Sequence, residues 1–488
     1  MSIRPNFAVS KSLSDFDPII FDQDCLVSGV CINAQQVKKG DLFIALEGAK
    51  THGAKFIDQA VKNGAVAVLS DKKIEGSIPS FIHPKPREIV GAISAWLYGH
   101  PFESMKAIGI TGTNGKTTTA NLVKQIWQLN SITSGLIGTL GIEIADEKLE
   151  SARTTPEADD LQAVAAAMVE HGCKNLVMEV SSHAIDQGRI KGAKYEVVAF
   201  SNLTQDHLDY HLNMENYFQA KANLFTSEYA KVAVINVDDS YGKKLLQQVK
   251  IPVATVSRKD TNADLYLAKA EINNGTYQVE IKSKTGERLS ENFALLGDYN
   301  LDNLLLAVAI VNSAGLSLDK IAPTISKLKS VPGRLESINA GQKFTALVDY
   351  AHTPDAVERV IATVKSATNG KIIGVLGCGG DRDASKRSVM GHALFNGCDL
   401  AVFTSDNPRS ESAETILMAM TKGLDLGNKG FIEIDRKSAI DLAVKNAQSG
   451  DVVLLMGKGH ESGQEVNAVV TPFDDRVELA ESIKRLAR

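Results

Sequence analysis

Along most of this chain, short apolar runs stop abruptly in turns rich in glycine and charge. "KAIGIT" leads into "GTNGKT", "NLVMEV" into "SSH", "DLAVFT" into "SDNPRS" and "DVVLLM" into "GKGHES". Helical patterns such as "TTTANLVKQIWQL" separate them. An uninterrupted apolar run reads as a strand covered on both faces, and strands alternating with helices build parallel sheets. In such sheets ligands bind beyond the C-terminal strand ends. The pattern therefore predicts an α/β protein with doubly wound sheets and its chemistry on the turns. Glu179, Ser181, Asn202, Thr204 and Asp238 fall at such ends.

A chain of 488 residues suggests roughly three domains, at about 150 residues each. Residues 1–100 read as a small mixed α/β unit. It has "GDLFIALEG" and "AVAVLS" as strands, "AKFIDQAVKNG" as a helix, and the helix "EIVGAISAWLYG" ending at the linker "HPFES". Residues 101–333 read as a central parallel-sheet domain with a candidate phosphate loop. Residues 334–488 follow the boundary "SVPGRLE" and read as a Rossmann-like α/β domain, with "FTALVDYAHTPD" and "IIGVLGCGGDRD" among its strand-to-turn units. The net charge of -5 gives no general pull toward nucleic acid or an anionic membrane, so an anionic ligand needs a local site. The first residues lack the apolar core of a signal peptide, and no run reaches the roughly 18 apolar residues of a membrane span. Cys25, Cys31, Cys173, Cys378 and Cys398 are scattered and never form C-x-x-C, which suits a reducing cytosol and argues against structural zinc. A cytoplasmic monomer is expected.

The stretch "AIGITGTNGKTTTANL" departs from the standard phosphate loop G-x-x-x-x-G-K-[ST]. Gly115, Lys116 and Thr117 fit its end, but Ile110 stands where the first glycine belongs. Ile110 reads as the last part of the strand, leaving the shorter loop Gly112-Thr113-Asn114-Gly115-Lys116-Thr117, with Thr118 next in the helix. Its backbone N–H groups, the helix N-terminus and Lys116 suit the phosphates of a nucleotide, and the Thr117 hydroxyl suits Mg²⁺. An ordinary glycine turn before a helix is the plainer alternative, and G-K-T between strand and helix speaks against it.

Other residues leave several readings open. Glu179 fits a solvated carboxylate, a helix cap or a Mg²⁺ ligand. In "SNLTQDHLDYH", His207 is the candidate metal ligand, whereas His183 and His211 read as structural. Lys221, in the aromatic helix "YFQAKANLF", reads as a snorkelling lysine. Arg334 fits either a phosphate contact or a salt bridge. Arg382, Asp406, Asn407, Arg409, Gly457 and Glu461 share one edge and together suit a zwitterionic ligand.

Taken in order, these motifs resemble those of the Mur ligases, ATP-dependent amide-forming ligases of peptidoglycan synthesis. "TGTNGKTT" is similar to their phosphate loop. "EVSSH", "SNLTQDHLDYH", "YFQAKANLF", "LGDYNLDN", "VPGRLE" and "DYAHTPD" follow in the family's order along the whole chain. "GGDRD", "SDNPR" and "GKGHE" resemble the members that add the third residue of the stem peptide. The resemblance implies that Lys116 holds ATP phosphates, that Thr117 and Glu179 bind Mg²⁺ with His207 at a second metal, and that Lys221 is carbamylated. It implies Asn303 at the adenine, Arg334 at the γ-phosphate and Asp349 at the ribose. Ile32, Ala34, Thr154, Thr155, Ser181, Gln187 and Arg189 would hold UDP-N-acetylmuramoyl-L-alanyl-D-glutamate. Arg382, Asp406, Asn407, Pro408, Arg409, Gly457 and Glu461 would hold the incoming amino acid.

That amino acid is expected to be meso-diaminopimelate. Its far carboxylate can pair with Arg409, which would repel the side-chain ammonium of L-lysine, and Glu461 can take the far ammonium. One stretch departs from the family. Asn33, Ala34 and Gln35 replace the usual Asp-Ser-Arg before "GDLF", so uridine binding relies on other groups, with Ala49 and Lys50 among the candidates. The rival folylpolyglutamate synthetases typically continue their loop G-K-G-S, unlike Lys116-Thr117-Thr118-Thr119 here. Lys116, Glu179, His207 and Lys221 together argue against a nucleotide-binding protein without catalysis.

Overall fold

The apolar run Lys106–Thr111 forms the middle of the largest sheet. The protein was analysed as a computed structural model that describes residues 3–6, 10–48, 51–151, 153–273 and 276–486. Asn175–Glu179 and Tyr195–Phe200 flank that middle strand in parallel, with Glu179 level with Ile110 and Phe200 level with Thr111. The chain passes from Lys106–Thr111 to Ser134–Gly138 on one side and from Tyr195–Phe200 to Ala230–Asn236 on the other, and such a switch point opens a crevice at the strand ends. The phosphate loop lies in that crevice, with Glu179 on one side and the Ser201–Asp206 turn on the other.

Ser134–Gly138, Ala230–Asn236 and Val253–Ser257 extend the parallel part. The sequence reading missed the antiparallel edges. Gly141–Ile144 and Glu147–Leu149 close one side, and Leu265–Asn273, Thr276–Ser283 and Arg288–Phe293 close the other. Their physical signature is different: in Thr276–Ser283, Tyr277, Val279 and Ile281 alternate inward with more exposed residues. Helices Lys116–Leu129 and Asp298–Ser313 cover one face of the sheet through Ile126, Trp127, Leu304 and Val308. Ala158–Glu170 and Met214–Ala222 cover the other through Leu161, Met168, Tyr217 and Phe218.

Before this sheet, Gly29–Cys31, Asp41–Ala45, Ala65–Ser70 and Ser80–Ile82 make a four-stranded parallel sheet. The expected helix "AKFIDQAVKNG" is a 3-10 turn, Gly53–Phe56, followed by a helix, Ile57–Asn63. Helix Pro86–Leu97 sends Val90, Ile93 and Leu97 into the core of this unit and packs against Ala158–Glu170.

After the central sheet, Thr345–Asp349, Val452–Met456, Ile372–Leu376, Leu400–Phe403 and Gly430–Ile432 run parallel, with Glu336–Ser337 antiparallel at one edge. Asp349 pairs level with Met456, Met456 with Leu376, and Leu376 with Phe403. The loops after these strands therefore leave from one line. No helix among the described residues is long and apolar enough to cross a membrane.

Candidate active site

At Gly115 the backbone has φ of 86°, and a Cβ there would lie 2.3 Å from the Asn303 amide oxygen. Glycine thus permits both the left-handed turn and the close approach of the Asp298–Ser313 helix. Lys116 curls back so that Nζ donates to the carbonyls of Gly112 and Thr113, each at 2.9 Å. Burial pushes its ammonium below the ordinary lysine value, against the opposing pull of Glu179 and Asp206.

Glu179 is buried and collects three donors. The Thr117 hydroxyl donates to Oε2 at 3.0 Å, the Thr139 hydroxyl to the same oxygen at 3.1 Å, and the Thr139 N–H to Oε1 at 2.8 Å. Arg334 donates to the Thr117 hydroxyl at 3.3 Å, and the Thr139 hydroxyl lies 3.2 Å from that of Thr154. One hydrogen-bonded chain therefore joins Arg334, the phosphate loop, Glu179 and Thr154. The Arg334 guanidinium also stacks 4.6 Å over the Tyr350 ring, and its buried Nε has no hydrogen-bond partner among the described residues.

Beside this chain lies a cavity of about 720 Å³, lined by Asn114, Gly115, Thr118, Asn303, Arg334 and Asp349 together with apolar residues such as Leu295 and Leu306. Asn303 accepts from Thr119 at 3.3 Å and donates to Asn300 at 3.3 Å. Asp349 accepts the N–H groups of Leu335 and Ala351, each at 2.7 Å, so it also shapes the interdomain turn. Burial raises its pKa against the pull of Arg334.

Lys221 does not snorkel. It is 2% exposed, donates to the Gly112 carbonyl at 2.9 Å and lies 4.6 Å over the Tyr217 ring. Burial, reinforced by Lys116, pushes its pKa well below the ordinary lysine value. His207 takes a left-handed φ of 54° and lies 3.4 Å from Asp206. Burial lowers its pKa to about 3 despite that carboxylate. Asp206 in turn accepts from Lys386, at the start of the C-terminal helix Lys386–Gly397, at 3.1 Å and lies 3.9 Å from His352, in the turn after the Thr345–Asp349 strand. Burial opposes ionisation of Asp206, but Lys386, His207 and His352 outweigh it and hold the carboxyl well below its usual range. His211 is buried against the Ser182 hydroxyl at 2.9 Å, and the His183 ring packs on Tyr210 at 4.3 Å.

The Thr117 hydroxyl and the Glu179 carboxylate are hard oxygen donors of the kind Mg²⁺ prefers. Among the described residues, no group of three or more His, Cys, Asp or Glu side chains gathers as a ready-made metal site. The Thr117 hydroxyl and the Glu179 carboxylate thus supply oxygen donors that fit Mg²⁺, whereas the ammonium form of Lys221 would repel a cation.

On the far side of Glu179, Thr155 donates to the Glu179 carbonyl at 2.9 Å and accepts from the Ser181 N–H at 3.1 Å. The Ser181 hydroxyl caps the helix Ser182–Asp186. Gln187 donates to the Tyr210 hydroxyl at 3.2 Å, and Arg189 pairs with Glu157 at 3.0 Å. Ile32 and Ala34 lie in the turn that follows the Gly29–Cys31 strand of the first sheet. The Ile32 N–H donates to Asp159 at 3.0 Å and the Ala34 carbonyl accepts from Asn63 at 2.8 Å. Asn33 accepts from the Gln35 N–H at 3.0 Å. Ala49 and Lys50 lie outside the described residues.

The level strand ends gather the remaining candidates. A Cβ on Gly380 would lie 1.9 Å from the Pro408 carbonyl, so the "GCGGDRD" and "SDNPRS" loops touch through glycine. Arg382 lies on the first of these. Arg409, with φ of 53°, donates to the Gly380 carbonyl at 2.7 Å and pairs with Glu465 at 3.3 Å. Asn407 donates to Glu461 at 2.8 Å. Asp406 is buried against Gly457, where a Cβ would lie 2.6 Å from its carboxylate.

Sequence reasoning missed Thr139, Lys386, Lys458 and Arg436 as parts of this architecture, and it offered Asp206 only as a conceivable metal donor, not as the partner of Lys386. Lys458 stands in "GKGHE" itself, but nothing in the motif says that its side chain turns inward. Arg436 is wholly buried with Asp475 and donates to the carbonyls of Ser405 at 3.2 Å and Met456 at 3.0 Å, which fixes the bases of two loops.

Comparison with known proteins gives a consistent picture. The sequence model for the Mur ligase middle domain matches residues 110–311, that for the Mur ligase glutamate ligase domain residues 333–459, and that for the Mur ligase family catalytic domain residues 26–97. A UDP-N-acetylmuramoyl-L-alanyl-D-glutamate–2,6-diaminopimelate ligase of Streptomyces coelicolor is 43% identical over 475 residues, covering 95% of this chain and 94% of its own. A ligase of the same name from Aquifex aeolicus is 41% identical over 451 residues, covering 92% of each chain. A solved structure of a ligase of that name superposes with a TM-score of 0.69 at 33% identity, covering 98% of this chain and 99% of the other.

Proposed function

The chain belongs to the Mur ligase family of ATP-dependent amide ligases, and from that premise we propose that it joins meso-diaminopimelate to UDP-N-acetylmuramoyl-L-alanyl-D-glutamate in peptidoglycan synthesis. The observation that carries the reading is the hydrogen-bonded chain from Arg334 through Thr117, Glu179 and Thr139 to Thr154. It runs from the nucleotide cavity to the residues assigned to the acceptor, as a transfer between the two requires.

In the first step the γ-carboxylate of D-glutamate attacks the γ-phosphorus of ATP, giving an acyl phosphate and ADP. In the second the amine of the amino acid attacks the acyl carbon. The tetrahedral intermediate expels phosphate, the nitrogen loses a proton, and the amide remains. Lys116 and Arg334 offset the converging anions, and Asn303 and Asp349 orient adenine and ribose. Thr155, Ser181, Gln187 and Arg189 hold the acceptor beside Glu179, with Ile32 and Ala34 toward the uridine. Mg²⁺ at Thr117, Glu179, His207 and a carbamylated Lys221 would neutralise phosphate charge. Carbamylation fits the surroundings of Lys221, because a buried amine low in proton affinity can add CO₂ and release a proton, leaving a carboxylate. Arg382, Asp406, Asn407, Pro408, Arg409, Gly457 and Glu461 would hold the amino acid. Residues 1–100, 101–333 and 334–488 are the proposed units for acceptor, ATP and amino acid, and the setting is the cytoplasm, where ATP is available.

The test is ATP-dependent ligation measured with meso-diaminopimelate and with L-lysine. ADP release should need both acceptor and amino acid and should strongly favour diaminopimelate. A preference for lysine would sink the substrate assignment, and ADP release without an acceptor would sink the ligase mechanism.

A further inference from the structure

Lys458 is a lysine with no exposed surface at the centre of the amino-acid edge. Its Nζ donates to the Asn407 amide oxygen at 3.1 Å, to Glu461 Oε2 at 3.1 Å and to the Gly463 carbonyl at 2.7 Å. The Asn407 amide oxygen also accepts the Glu465 N–H at 3.0 Å, and its nitrogen donates to that same Glu461 oxygen at 2.8 Å. Two donors around the oxygen leave only one chemically sensible orientation for the amide. One oxygen of Glu461 therefore faces two donors supplied by the protein, and the carboxylate carries a buried positive charge beside it.

We propose that Lys458 is a specificity-determining positioning residue, whose buried ammonium pins Asn407 and partly neutralises Glu461, so that the pocket selects an amino acid bringing its own distal carboxylate. The inference rests on the proposed assignment of this edge to meso-diaminopimelate. The physical argument is a charge comparison. A free glutamate in a pocket attracts any distal ammonium, including that of L-lysine. A glutamate already paired with Lys458 holds a lone ammonium weakly, and the Lys458 charge adds repulsion. Diaminopimelate escapes this penalty because its distal carboxylate offsets the positive potential of Lys458 and Arg409.

The experiment compares kcat/KM for diaminopimelate and for L-lysine in wild type, K458Q and K458R. Glutamine can still donate to two of the three acceptors but carries no charge; arginine keeps the charge. K458Q should lower the diaminopimelate-to-lysine ratio by about tenfold or more, with KM for ATP and for the UDP-linked acceptor changed less than about threefold, while K458R keeps most of the ratio. A merely structural lysine would lower both activities together and leave the ratio alone, and that result overturns the proposal. If K458Q does not fold, E461Q decides. Removing the carboxylate leaves Lys458 uncompensated, so the ratio should rise; a fall overturns the role of Lys458. A wild type that prefers lysine overturns the substrate assignment and this inference together. A wild type that prefers diaminopimelate, with the ratio unmoved in K458Q, overturns this inference alone.

Discussion

Lys221 shows how much one buried amine can constrain a site. Its described polar contacts are the Gly112 carbonyl and the Tyr217 ring, and Lys116 adds to the cost of keeping it charged. A neutral amine is the form that reacts with CO₂. Wild-type enzyme assayed in buffer stripped of CO₂ should therefore lose activity and regain it on adding bicarbonate, whereas K221R should be inactive in both. Equal wild-type rates with and without bicarbonate would count against the carbamate. At this scale the sequence was uneven. Glu179 could be picked out because an apolar strand ends on it. Lys221 pointed the wrong way on composition, because a lysine in an aromatic helix usually reaches solvent. Thr139 had no signal, since its importance comes only from meeting Glu179 across the sheet.

At the scale of elements, the phosphate loop works because the middle strand, the loop and the Asp298–Ser313 helix meet with no room to spare. G115A should force a Cβ against Asn303 on a backbone that L-residues rarely adopt. The expected result is a KM for ATP raised by roughly tenfold or more, from a loss on the order of 1–3 kcal/mol in a strained position, with the fold retained by circular dichroism. An unchanged KM would mean that the loop does not touch the nucleotide. The parallel strands were readable because burial on both faces leaves an unbroken apolar run. The antiparallel strands Leu265–Asn273, Thr276–Ser283 and Arg288–Phe293 were not, because one face stays wet and the apolar signal is halved. The hairpin Gly463–Val466 and Val469–Pro472 was missed for a related reason: its valines are largely exposed.

For the whole molecule, the decisive contacts run between sheets. Asp159 belongs to the central domain's helix, yet it holds the Ile32 N–H just after the Gly29–Cys31 strand, and its other oxygen is buried without a hydrogen-bond partner among the described residues. Burial, with the nearby Asp160 and Glu157 charges, raises its pKa to about 7. The folded protein thus keeps a proton that the unfolded chain sheds near the ordinary value of 3.8. Stability attributable to Asp159 is greatest below that lower value and is lost as pH rises through the interval to about 7. D159N should raise the melting temperature at pH 8 by a few degrees, and the gain should shrink toward pH 4. A gain independent of pH would reject the burial of a titrating carboxyl at this seam. No spacing in the sequence could announce such a contact, because Ile32 and Asp159 are 127 positions apart.

The level ends of the C-terminal strands carry a consequence for heredity. Strands buried on both faces tolerate few exchanges, whereas the loops leaving them share one origin, two of them fixed from below by Arg436. A lineage can therefore alter the side chains of the proposed amino-acid edge without disturbing the frame beneath. Preference for one amino acid is then free to drift faster than the architecture that presents it.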